Sequence, residues 1–471
     1  MKSSTLSKEE RIIAGENRQL AKLKKIQNTK NSTGYLAALL FLIALVNIID
    51  EVSSNLTVSV QSSFITEFFV NNPLFGKTYT YEEGLSLHTS ISVFTYVFGV
   101  ITPFYKALAD KFGRKPLFAF STFGMSLGML IVYLSPNYIV FLIGSAVISF
   151  FMGHDIQIIY ILEEAPSKHR ARIYSILKGL GILGVVFVPA LRQLLMGNDA
   201  TQWRKIFLVP ALIGMFACLM VIVFAKDTKV FVEERTAYLS RPYEERQEEK
   251  RLKKEAKKAD SKKYGVFNAA KYIFSNKDTG ALMIAHIIFD TAMAAIALFF
   301  ESAMHIAGMS TEDITKSLFL LSIMYAIETF VSGFVADVLG RKKTIVMFSC
   351  VSIVNYILFA AGINNLWNPY LIGAFCGLYQ GAYWIGRDYM NIMMTEKVPT
   401  DIRASVVGAE GLLSTLGTAV GYLFMIIGIN FVPVWLMCLL VSIPCVGVSA
   451  SILAVKVKET KGANLDVVGL E

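Results

Sequence analysis

The chain has 471 residues, 54% of them hydrophobic and only 17% charged, whereas a soluble domain carries about a quarter charged residues. Its net charge is +9, but the bases fall between apolar blocks instead of on one basic face, which excludes a nucleic-acid-binding surface. The five cysteines (Cys218, Cys350, Cys376, Cys438, Cys445) lie inside apolar blocks without metal-ligand spacing, so neither a metal site nor a disulfide framework is expected.

Residues 1–33 form a polar arm that begins MKSSTLSKEERIIAG. It lacks the apolar core of a signal peptide and reads as a short, partly helical cytoplasmic arm. A helix needs about 20 apolar residues to cross a bilayer. Blocks near that length fall at 35–62, 86–108, 115–134, 138–162, 172–195 and 206–225, and again at 280–304, 317–337, 343–362, 370–394, 404–428 and 432–455. The pattern predicts an all-α membrane protein of twelve spans. It divides into a six-helix bundle over 34–225, a charged helical linker over 226–279, a second six-helix bundle over 280–456 and a tail over 457–471. Lys and Arg gather in the arm, the linker, the tail and the turns after spans 2, 4 and 8, while the opposite connections have few, as in the turns SPN, INNLWN and INFVP. This places both termini in the cytoplasm of a multi-pass cell-membrane protein, plasma or inner membrane.

The sequence repeats itself. ADKFGRK at 109–115 returns as ADVLGRK at 336–342, GHDIQIIYILEEAPSKHRA at 153–171 as GRDYMNIMMTEKVPTDIRA at 386–404, and KDTK at 226–229 as KETK at 458–461. The offsets lie within a few residues of one another, so the halves are duplicated. Duplicated halves mark secondary transporters, whose site lies between the repeats near the midplane.

ADxxGRK resembles the loop signature of the major facilitator superfamily. The ExxPxxxRA pattern and KETKG resemble its sugar porter branch, metabolite:proton symporters. The resemblance covers nearly the whole chain. It implies the major facilitator fold, and a gate and scaffold role at the cytoplasmic face for Asp110, Arg114, Glu163, Arg170, Asp337, Arg341, Glu396 and Arg403. Within these loops, Gly113 and Gly340 permit φ > 0, and the arginines offer forked donors to a carboxylate. There are departures. Lys106 replaces the Gly that opens the first motif, no Arg or Lys occurs in span 4, Asp290-Thr291 stands where paired Gln is common in span 7, and Lys178 stands at a sugar-binding Gln position in span 5. These point away from a neutral hexose.

A charge at the bilayer centre costs about 2.5–3.5 kcal/mol even on the lenient scale. Spans 1, 4, 7 and 10, which line the cavity in this fold, carry most such charges. Asp50, Glu51, Asp155, Asp290 and Asp388 are candidates for proton coupling. His154, Lys178, His286, Trp384, Arg387 and Glu410 are candidates for the substrate cavity. Each also has a structural reading. His154-Asp155 and Arg387-Asp388 can be neutralised by neighbouring helices, Lys178 can pair with Glu328, and His286 can be a packing histidine. Arg192 and Glu301 lie nearer the outer ends, where snorkelling is open to them. Asp50 resembles the coupling acid of proton-linked sugar porters in position.

The reading is a secondary active transporter that moves a small polar organic solute by alternating access, coupled to protons. It would act as a monomer in the bilayer with no cofactor and no nucleic acid. The alternatives are an exporter of organic cations or drugs and a membrane sensor that has lost transport. No nucleotide loop, metal cluster or Ser/His/Asp arrangement suggests an enzyme.

Overall fold

The computed structural model describes residues 8–27, 33–72, 76–96, 112–152, 160, 163–164, 170–249, 251–252, 266–398 and 402–461. Span 1 runs Thr33–Ser59, span 3 Arg114–Tyr133, span 5 Arg170–Leu191 and span 6 Lys205–Phe224. In the second half span 8 runs Thr311–Leu339, span 9 Arg341–Asn364, span 11 Arg403–Gly428 and span 12 Val434–Lys456. These eight are long and apolar enough to cross a bilayer. Spans 2 (from Tyr81–Ser92) and 4 (Tyr138–Met152) continue into residues outside the described ones. Span 10, Pro369–Glu396, has the length but carries Gln380, Arg387 and Asp388. Local chemistry starts several spans. Thr80 and Glu83 form a capping box before span 2, Ser310 caps span 8, and Asn368 caps span 10 ahead of Pro369 at its first turn.

Span 7 departs from the single helix expected over 280–304. It is three pieces, Lys277–Thr291, Met293–Ala297 and Phe300–Ile306. No Gly or Pro marks either break, so tertiary packing imposes them. Span 1 likewise continues past its expected end, through Gln61–Ile65 and a wide turn at Thr66–Asn71.

Span 10 packs between spans 8 and 9, span 7 lies against spans 11 and 12, and span 1 lies against span 5. One continuous apolar core runs through both halves. The arm helix Lys8–Gln27 lies on the linker helix Lys229–Ser240 through Leu23, Phe231, Val232 and Leu239, fastened by Arg246 to Glu16 at 2.5 Å.

Hydrogen bonds between the halves cluster at the face opposite the termini. Ser62 joins Glu301, Tyr81 joins Ser302, Ser86 donates to the Ile426 carbonyl and Ser322 to that of Val185. These bonds tie the two halves together there.

Candidate functional site

Three constellations stand out, one at the terminal face, one at the opposite face and one in the interior of the second half.

At the terminal face the repeat becomes geometry. Gly113 and Gly340 have φ of 104° and 89°, a conformation that L side chains rarely adopt. Each is also crowded. A Cβ at Gly113 would lie 2.5 Å from Asp227 Oδ1, and one at Gly340 2.7 Å from Glu459 Oε2. Those carboxylates accept from the first N–H groups of the following spans, Lys115 to Asp227 at 2.9 Å, and Arg341 and Lys342 to Glu459 at 2.9 and 3.1 Å. This is a carboxylate on a helix N-terminus. Arg114 forks onto Glu163 at 2.8–3.1 Å, and Thr228 donates to the same Glu163. In the second half Arg341 reaches Glu396 at 3.4 Å and Thr460 donates to it at 2.5 Å. Asp227, Thr228, Glu459 and Thr460 were not among the expected gate residues, although the KDTK/KETK repeat singles them out.

Two gate candidates stand apart from these clusters. Arg403 does not pair with Glu396; it donates to the Val398 carbonyl at 3.2 Å. It begins span 11 beneath the C-terminal carbonyls of span 10, which a cation satisfies. Asp337 is 82% exposed and meets Arg341 only at 4.0 Å. Asp110 lies outside the described residues, as does the side chain of Arg170.

At the opposite face Arg192 and Glu301 do not snorkel. Their side chains are 1% and 0% exposed, and they pair across the halves at 3.5 Å. Glu301 accepts from the Ser62 N–H at 2.7 Å and hydroxyl at 2.5 Å. Arg192 donates to Thr315 at 2.9 Å and to the Ser59 carbonyl. The pair survives burial because the remaining donors and acceptors are filled.

The interior constellation joins spans 7, 10 and 11. Glu410 accepts from or donates to His286 Nδ1 at 3.1 Å, and His286 Nε2 faces Asp290 at 3.6 Å. Asp290 takes two bonds from Arg387, Nε at 2.8 Å and Nη2 at 3.3 Å. Tyr383, stacked on Phe289 at 4.7 Å, donates weakly to Asp290 at 3.4 Å. The Arg387 guanidinium lies 5.5 Å from the Trp384 ring. Backbone contact sets the register, because Gly417 and Gly421 of span 11 meet the Ile287 and Thr291 carbonyls of span 7. Along span 10, Trp384, Arg387, Asp388 and Asn391 form one stripe that keeps accessible surface, with Tyr389 part-buried and Ile392 exposed beside it. Charges exclude lipid there, so this stripe faces the cleft between the halves.

Thus His286, Trp384, Arg387, Glu410 and Asp290 come together, and Arg387 is neutralised by Asp290 of the neighbouring span. Glu51 and Asp388, from opposite halves, both lie within electrostatic reach of Tyr325. Asp50 sits one residue from Glu51 with its Oδ1 shielded from solvent. Buried Glu328 packs against Gly381 of span 10. His154 and Asp155 lie outside the described residues, as does the side chain of Lys178. Among the described residues no cluster suits a metal ion.

The Major Facilitator Superfamily profile matches residues 40–422, and the chain belongs to that family. It is a membrane transporter of the major facilitator fold, and family and fold point away from an enzyme. It is similar to the class H tetracycline resistance protein of Pasteurella multocida, 22% identical over 70% of this chain and 74% of that one. Shorter likenesses join it to organic cation/carnitine transporter 6 of Arabidopsis thaliana, 26% identical over 32% of this chain and 30% of that one, and to a sugar transporter of the same plant, 34% identical over 25% and 22%. Among solved structures a D-xylose-proton symporter matches with a TM-score of 0.64 and 13% identity, over 91% of this chain and 99% of that one. A bacterial homologue of the lysosomal transporter Spinster, inward-facing and unoccupied, matches with a TM-score of 0.60 and 14% identity, over 90% and 96%. Identities this low establish the shared fold alone.

Proposed function

We propose that the protein is a proton-coupled secondary transporter of a small polar organic solute, working by alternating access, with the terminal face in the cytoplasm of a cell membrane. The buried Glu410–His286–Asp290–Arg387 chain carries this reading. In a low dielectric such a chain must sit near neutrality. Arg387 cancels Asp290, and one proton shared between His286 and Glu410 cancels the second carboxylate. A structural ion pair would need no third and fourth titratable group. The ties between the halves at the opposite face, with Arg192 on Glu301, support a state that opens toward the cytoplasm. The clusters around Glu163 and Glu396 then hold each half's cytoplasmic loops together.

The test is uptake by the purified full chain in liposomes, against a panel of sugars, carboxylates, amines and amino acids, with and without an imposed pH gradient. Accumulation of at least one solute that collapses with the gradient is expected. Flux that ignores the gradient would sink the coupling, and no flux at all would favour a sensor.

A further inference from the structure

The interior chain has one open end. Arg387 spends Nε and Nη2 on Asp290, which leaves Nη1 without a hydrogen bond among the described residues. Its side chain is 27% exposed, whereas that of Asp290 is 0% exposed. A solute arriving from the cleft therefore meets the guanidinium and cannot reach the carboxylate behind it. Trp384, the next solvent-reached residue on the same stripe, adds an aromatic face beside that guanidinium. A guanidinium with a free edge and a planar wall recognises a planar oxyanion, above all a carboxylate.

We infer that Arg387 is the docking point for a carboxylate of the transported solute, which competes with Asp290 for the guanidinium and thereby obliges the protein to take up a proton. This rests on the proton-coupled transporter reading. When the solute carboxylate holds Arg387, Asp290 loses its counter-charge inside the protein. The groups that face it are His286 on its own span, Arg387 and Tyr383 from span 10, and Glu410 from span 11. Span 12, which packs on the other side of span 7, carries no charged residue before Lys456; its polar groups are serines and the thiols Cys438 and Cys445, and Ser449 donates to the Ala285 carbonyl. With His286 already sharing its proton with Glu410, nothing fixed can cancel Asp290. One proton from cleft water binds there, and the site returns to neutrality. Release of the carboxylate lets Arg387 reclaim Asp290 and expels the proton. Anion and proton thus move together, one for one.

The experiment uses the purified full chain in detergent and four probes of one skeleton: phenylacetate, phenylalanine, 2-phenylethylamine and 2-phenylethanol. Binding is read by tryptophan fluorescence, and proton exchange by a pH dye in weakly buffered solution. The carboxylate-bearing probes should quench fluorescence and take up about one proton per molecule bound, while the amine and the alcohol do neither. A charge-neutral double variant, Arg387→Gln with Asp290→Asn, keeps the fold from burying a lone charge. It should lose carboxylate binding by about tenfold or more, the usual cost of a charge-assisted bidentate contact, and all proton uptake. Arg387→Lys, which keeps the charge but not the fork, should bind weakly and still take up the proton. Preference for the amine or alcohol, carboxylate binding unchanged in the double variant, or binding of no probe overturns the inference. The coupling reading fails separately, when no solute responds to a pH gradient in liposomes.

Discussion

Arg192 and Glu301 come from opposite halves of the molecule and meet at 3.5 Å with both side chains sealed from solvent. Removing one partner of such a pair strands the other and costs about 3–5 kcal/mol. That cost falls on the state in which the two are joined. Glu301→Gln should therefore shift the population toward opening at the face opposite the termini. The reporter is Ser322→Cys, a buried position that bonds Val185 across the halves, in a chain whose native cysteines are replaced by alanine. Labelling by a membrane-impermeant maleimide from that face should rise by an order of magnitude or more. Unchanged labelling would mean that the pair holds the fold and does not hold the gate.

The gate at the terminal face calls for a graded test. Glu396 is held by Arg341 and Thr460, whereas Asp337 is largely exposed. Glu396→Gln should slow exchange with little effect on solute affinity, because it weakens a charged hydrogen-bond set worth about 1–3 kcal/mol. Asp337→Asn should do less. Thr460→Val should fall between them. The check is exchange rate against equilibrium binding for each variant; a loss of affinity at equal rate contradicts the assignment.

Two acids compete for the coupling role. Position along span 1 favours Asp50, which is part-buried beside Glu51. Asp290 has the arginine partner that makes proton and solute exclusive of one another. Asp290→Asn should keep downhill exchange and lose gradient-driven accumulation, while Asp50→Asn keeps both. The reverse result, measured in liposomes, would return the role to span 1.

Asp227 and Glu459 are repeat equivalents with opposite titration. Burial pushes the Asp227 carboxyl above its ordinary value, only partly offset by the N–H groups of Lys115 and Arg114. Burial acts on Glu459 too, but backbone N–H groups of Thr460, Lys342, Lys461 and Arg341 outweigh it and hold the carboxyl below its ordinary value. A lowered acid stabilises above its unfolded value and loses that contribution as pH falls through the folded one; a raised acid does the opposite. Glu459→Gln should therefore lower the melting temperature at neutral pH, with the difference vanishing on acidification below about pH 4. Asp227→Asn should leave it level or higher. Thermal melts of both variants across that range decide it.

Much of this was legible in the residues. Apolar block length marked the spans and the repeated loops fixed the family, because bilayer thickness and tight turns leave few alternatives. Gly113 and Gly340 were readable as positive-φ positions. The partners were not readable. Nothing in the spacing says that Arg387 turns to Asp290, 97 positions away, or that Arg192 finds Glu301, since these depend on how bundles of helices rotate against one another. The breaks in span 7 left no signal either, because they replace ordinary helix-forming residues such as Ala292 and Leu298 with a bend that only packing requires.

Those breaks carry a mechanical consequence. The lower piece, Lys277–Thr291, bears His286 and Asp290 and is locked to span 11 at Gly417 and Gly421. The upper piece, Phe300–Ile306, bears Glu301 and the Ser302 contact to Tyr81. A continuous rod would make the two move as one, whereas a jointed one lets a seven-residue lid fold away while the carboxylate beneath it stays put. Opening and protonation can then happen in sequence, with an interval in which both faces are shut. Spin labels on the two pieces would read this as a change in their mutual distance while the distance from the lower piece to span 11 holds constant.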